Sequence, residues 1–126
     1  MRISVDTDKK LFFRQLLELL SGIPPLDKLR NRELDLLAMY MFYNYTYKNL
    51  EEPVRWRIIN DTSTRKEMQF NLDMKEDIFN NNISVIRKTN LIDRDGRLAP
   101  FLQIYPEDNF KLEFDFNIIG DDGVLR

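Results

Sequence analysis

A chain of 126 residues, 43% hydrophobic and 32% charged, has the length and balance of one globular domain. It contains neither cysteine nor histidine, which excludes disulfides, thiolate nucleophiles, sulfur-ligated metals and the commonest general base. The net charge of −2 lacks the basic surplus usual in nucleic-acid-binding domains.

The first predicted helix runs from Asp8 to Leu20. Phe12, Phe13, Leu16, Leu19 and Leu20 fall at helical spacing, Asp6 or Asp8 can cap the start, and Ser21-Gly22 can end it. Pro24-Pro25 then blocks continuation. A longer helix is expected from Asn31, as N-cap, to about Tyr47, with Leu34, Leu37, Met41 and Tyr45 at steps of three and four. Pro53 suits the first turn of a short third helix reaching Ile59, with Val54 and Ile58 inward. Phe42, Tyr43, Tyr45, Tyr47 and Trp56 are mostly core material. Their density nevertheless exceeds what one helix face can bury, which makes Tyr40, Tyr43, Tyr47 and Trp56 a candidate protein interface.

Residues 63–92 carry the most specific pattern. Thr64 and Glu67 have capping-box spacing. A short helix to about Phe70, a turn at Asn71-Leu72-Asp73 and a second helix capped by Asp73 would follow, with Ile78, Phe79, Ile83 and Ile86 as its buried stripe. Asn90 can close that helix in the left-handed conformation. Leu91-Ile92 begins a strand, Asp93-Arg94-Asp95-Gly96 is a hairpin turn, and Arg97 to Leu102 returns. From Phe110 to Ile118, Phe110, Leu112, Phe114, Phe116 and Ile118 alternate with Lys111, Glu113, Asp115 and Asn117, the period of a strand with one apolar face. At a sheet edge, such a strand can pair with a neighbouring subunit. Asp121-Asp122-Gly123 reads as a polar tail.

The stretch TRKEMQFNLDMKEDIFNNNISVIRKTNLID, Thr64 to Asp93, resembles the two-helix unit and wing entry of winged-helix proteins. The resemblance implies an α+β fold: a single winged helix-turn-helix domain over 1–126, with the helix-turn-helix at about 64–89 and a β-hairpin wing at about 91–118. The chain is also similar in its asparagine-rich style to small proteins of tailed bacteriophages, including crAss-like phages. In DNA-binding winged-helix proteins the second helix of the unit enters the major groove. That likeness makes Asn80, Asn81 and Ser84 candidate base readers, Arg65, Lys66, Arg87 and Lys88 candidate phosphate contacts, and Arg94 and Arg97 wing-tip contacts.

Charge counts against DNA. Residues 1–60 hold ten basic and eight acidic residues, 61–90 five of each, and 91–126 four and eight. The helix-turn-helix is therefore neutral, and Asp73, Glu76 and Asp77 crowd the start of its second helix. Asp93-x-Asp95-Gly96 fails as a calcium loop, because its twelfth position is Ile104 rather than glutamate. No nucleophile, base or phosphate loop is assembled, so no enzyme, cofactor, metal or small-molecule substrate is expected. No apolar run reaches the roughly 18 residues of a bilayer span, and the opening Met1–Asp6 is not a signal peptide. The expectation is a structural or adaptor protein of a phage particle, in a homo-oligomer or larger assembly. It would be found in the host cytoplasm or the virion. The alternative is a sequence-specific DNA-binding regulator.

Overall fold

A computed structural model of the chain describes residues 1–120, so the Asp121-Asp122-Gly123 tail lies outside the described residues. Five α-helices form the body: α1 (Lys9–Leu20), α2 (Asn31–Thr46), α3 (Glu52–Ile59), α4 (Thr62–Leu72) and α5 (Glu76–Lys88). Single 3-10 turns occupy Leu26–Lys28 and Pro100–Leu102. No sheet is present among the described residues.

Helix α2 is the centre. It buries Leu34, Leu36, Leu37, Ala38, Tyr40, Met41 and Tyr43, almost all round its circumference, and α1, α3, α4 and α5 all pack against it. Contacts on several sides leave it only a narrow open stripe, Asp35, Met39, Phe42 and Thr46, so its pattern is weakly amphipathic. The outer helices bury one face each: Phe13, Leu16 and Leu17 from α1, Trp56 and Ile59 from α3, Met68 from α4, and Phe79, Ile83 and Ile86 from α5. Three predicted stripes shift accordingly. Leu19 of α1, Val54 of α3 and Ile78 of α5 are exposed rather than buried.

Local chemistry sets the helix ends. Asp8 caps α1 by accepting from the Leu11 amide at 2.8 Å, and Ser21 Oγ donates to the Glu18 carbonyl at 2.8 Å at its end. Arg30, not Asn31, is the N-cap of α2, where the Glu33 carboxylate accepts from the Arg30 amide at 3.3 Å. Asp61 caps α4 at the Thr62 amide, 2.8 Å. Thr64, read as that cap from the sequence, lies one turn inside and is buried.

The expected pair of helices joined by a tight turn is present as α4, the turn Asp73-Met74-Lys75 and α5. Asp73 does not cap α5. It ends α4 in the left-handed conformation, φ 52° and ψ 51°, and Lys75 is the N-cap of α5. Asn90 also has positive φ, 64°.

The wing, and with it the α+β winged-helix assignment, is overturned. The turn at Asp93–Gly96 forms, with Gly96 at φ 80° and the Asp93 carboxylate accepting from the amides of Asp95 (2.9 Å) and Arg97 (3.0 Å). It is flanked by one antiparallel bridge, Ile92 with Leu98. The Asp93 amide bonds the Arg97 carbonyl and the Ala99 amide bonds the Leu91 carbonyl, both at 2.9 Å. Pairing stops there because Pro100 has no amide hydrogen and begins a 3-10 turn. Leu91, Ile92, Leu98 and Leu102 are all buried, so this rudimentary hairpin is a plug in the helical core rather than a projecting wing.

The expected third strand finds no sheet edge. Lys9 Nζ donates to the carbonyls of Pro106 and Glu107, Pro106 is buried, and the Phe110 ring packs edge-on against Phe12 at 5.0 Å. These contacts pin the chain to the start of α1. From Lys111 to Ile119 every residue is exposed, an arm of extended sequence pattern that forms no strand among the described residues and holds a lone bridge position at Ile119.

Candidate interaction surfaces

The structure places three candidate surfaces: the outer face of α5, the aromatic group of α2 and α3, and the arm.

On α5, Asn80, Asn81, Ser84, Arg87 and Lys88 are all exposed. They share this helix with exposed Glu76 and Asp77 in its first turn. Lys66 of α4 is exposed, and Arg65, Lys66 and Asn80 line one shallow cleft together with Gln69 and Glu76. Arg65 is half-buried and turned inward. Its guanidinium lies 5.4 Å from the centre of the Phe79 ring, and its Nε is buried without a partner. That geometry anchors α4 on α5 by cation–π attraction. Arg94 is exposed at the tip of the 93–96 turn. Arg97 is half-buried and sits 3.9 Å from Glu52, which partly neutralises it. Arg97 also borders an open groove beside Arg57, Asp61 and Asp95, where charges of both signs balance.

The aromatic group is not the accessible face the sequence suggested. Tyr40 is 0% and Trp56 3% exposed, and Tyr43 is also buried. Tyr47 is half-buried, stacked on Tyr43 with ring centres 6.2 Å apart. Each polar tip is satisfied. Tyr40 Oη donates to Asn60 Oδ1 at 2.9 Å, Tyr43 Oη to Glu67 at 2.5 Å, and Trp56 Nε1 to Glu52 at 3.3 Å. Burial raises the Tyr40 hydroxyl pKa, despite the nearby Arg65 and Arg87. Burial followed by the Glu67 carboxylate raises that of Tyr43 further still. Both tyrosines are neutral structural groups that tie α2 to α3 and α4.

Two polar hubs escaped sequence reasoning because neither has a motif. Asn60, at the end of α3, accepts from Tyr40 and donates to the carbonyls of Trp56 (2.8 Å) and Gly96 (3.0 Å). It fastens the 93–96 turn to the helices. Arg55 donates to Asn44 Oδ1 (3.1 Å), Tyr105 Oη (2.9 Å) and the carbonyls of Lys48 (3.3 Å) and Leu50 (3.0 Å). It holds the α2–α3 loop and the segment leading to the arm.

The arm presents a run of exposed apolar side chains. Phe114 is 49% and Phe116 83% exposed, and Leu112, Ile118 and Ile119 are exposed beside them. Its alternation was legible in the sequence; its exposure on both faces was not.

Among the described residues, no helix is long and apolar enough to cross a membrane, and no group of three acidic side chains is placed to hold a metal ion. No protein-family model, no curated protein and no solved structure matches the chain.

Proposed function

We propose that the protein is a non-catalytic assembly subunit, a helical body that carries an extended arm for docking on protein. The observation that carries this reading is the exposure of the arm's alternating apolar residues. Fully burying a phenylalanine side chain stabilises by about 1.5–3 kcal/mol, so Phe114 and Phe116 together leave a substantial association energy unspent on the isolated chain. Alternation along Leu112, Phe114, Phe116 and Ile118 suits addition to a strand, in which backbone hydrogen bonds give affinity and alternate side chains give selectivity. The particle of a tailed phage is the setting that the sequence resemblance implies.

Regulation through DNA is the competing reading, and the exposed Asn80, Asn81, Ser84 and Lys88 of α5 favour it. The electrostatics oppose it. Affinity for DNA comes mainly from neutralising phosphates, whereas Glu76 and Asp77 stand exposed at the start of that helix and Arg65 is turned inward.

A photo-reactive amino acid at position 116, and at position 88 as a control, separates the two in the cells that make the protein. Discrete protein adducts from position 116 and none from position 88 are expected. Adducts from neither, together with tight, salt-sensitive binding of the purified protein to an AT-rich duplex, would transfer the function to α5.

A further inference from the structure

We infer that the arm pairs with the N-terminal segment of a second copy of this chain. The inference rests on the assembly reading and names the partner. A second exposed segment, Arg2–Asp6, has the same alternation: Ile3 and Val5 are 79% and 63% exposed, with Arg2, Ser4 and Asp6 between them.

Laid antiparallel, the two segments match in one register. Asp6 stands opposite Lys111, Val5 opposite Leu112, Ser4 opposite Glu113, Ile3 opposite Phe114 and Arg2 opposite Asp115. Apolar faces apolar, and both charge pairs are of opposite sign, the arrangement that stabilises cross-strand neighbours. A slip of one residue sets apolar side chains opposite polar ones. A slip of two in one direction opposes Asp6 to Glu113. A slip of two in the other direction keeps a single charge pair, Arg2 with Glu113, and needs Phe110, already held on Phe12.

Among the described residues the complementarity is unmet. Lys9, three residues after Asp6, bonds the carbonyls of Pro106 and Glu107, so the two segments depart from neighbouring points on the body. Yet no backbone hydrogen bond joins them among the described residues, and both remain exposed. Reciprocal exchange between two copies satisfies both segments twice under two-fold symmetry, a closed arrangement. Packing the apolar faces of the two resulting ribbons on each other covers Ile3, Val5, Leu112 and Phe114.

The chain has no cysteine, so introduced thiols report without background. Ile3→Cys and Phe114→Cys proteins are purified separately, mixed and oxidised mildly. A mixed disulfide dimer is expected, in excess over either homodimer, and Ser4→Cys with Phe114→Cys, which lie on opposite faces, should link much less. The chain carrying both Ile3→Cys and Phe114→Cys should run as a doubly bridged dimer. Closure of that chain only upon itself, or no mixed dimer, overturns the inference.

Charge reversal supplies a second readout that leaves the helical body untouched. Asp115→Arg should weaken dimerisation by about ten-fold, since each two-fold dimer contains the pair twice, and adding Arg2→Asp should restore it. No weakening, or no restoration, also counts against the pairing. If these tests fail while position 116 still cross-links to a different protein, the assembly reading stands and the second copy is wrong.

Discussion

Asn60 shows how one side chain joins three parts of the molecule. Its carbonyl oxygen takes the Tyr40 hydroxyl, and its amide holds the Trp56 and Gly96 carbonyls. Asn60→Ala should cost roughly 1–3 kcal/mol in urea unfolding, because a buried hydroxyl is left unpaired, and adding Tyr40→Phe should recover part of that loss. A Cβ at Gly96 would collide with the Asn60 amide, at a φ that already disfavours L-residues. The tyrosines make a separate prediction. Tyr40 and Tyr43 have hydroxyl pKa values raised above the ordinary 10.0. Their neutral forms are therefore favoured in the fold. That contribution is fully present below pH 10 and is lost as the pH rises above it, where the unfolded chain releases protons that the folded chain retains. Unfolding free energy followed by denaturant between pH 8 and about 12 should fall at the alkaline end, and Tyr43→Phe should flatten the slope.

At the level of elements, the α4–α5 turn depends on Asp73 in the left-handed region. Glycine adopts that conformation without the Cβ penalty, whereas a β-branched residue resists it. Asp73→Gly should leave thermal stability unchanged or raise it, and Asp73→Val should lower it by about 1–2 kcal/mol. Equal melting temperatures for the two variants would contradict the assignment. The short helix, turn and second helix were legible in the sequence because α5 is amphipathic and Asp73 and Asn90 stand just outside its two ends. The caps were less legible, since Thr64-x-x-Glu67 has the capping spacing while Asp61 does the capping. The wing was misread because alternation specifies a strand's faces but not its partner. Pro100 ends the hairpin after one bridge, and contacts of Lys9 and Phe12 draw the later segment to α1. Both effects depend on tertiary placement. The aromatic interface failed for a related reason: α2 is packed by four helices, and the stripe left open carries Asp35, Met39, Phe42 and Thr46 rather than Tyr40 or Tyr43.

For the molecule as a whole, burial is divided unevenly. The helical body packs around α2, with the hairpin residues Leu91, Ile92, Leu98 and Leu102 as its plug, while the arm and the segment before α1 each carry alternating exposed apolar side chains, and further ones such as Phe70 and Leu19 stand singly on the body. A body that is complete without its extensions should keep its helices when the extensions are altered, and the extensions should matter only when a partner is present. Amide hydrogen exchange, read residue by residue in dilute and in concentrated protein, tests this division most directly. Protection of α2 and α5 at both concentrations, with amides of 111–119 exchanging freely when dilute and slowly when concentrated, is the expected result. Slow exchange along 111–119 in the dilute monomer would mean that the arm is satisfied within its own chain. Free exchange at every concentration would mean that no second copy receives it.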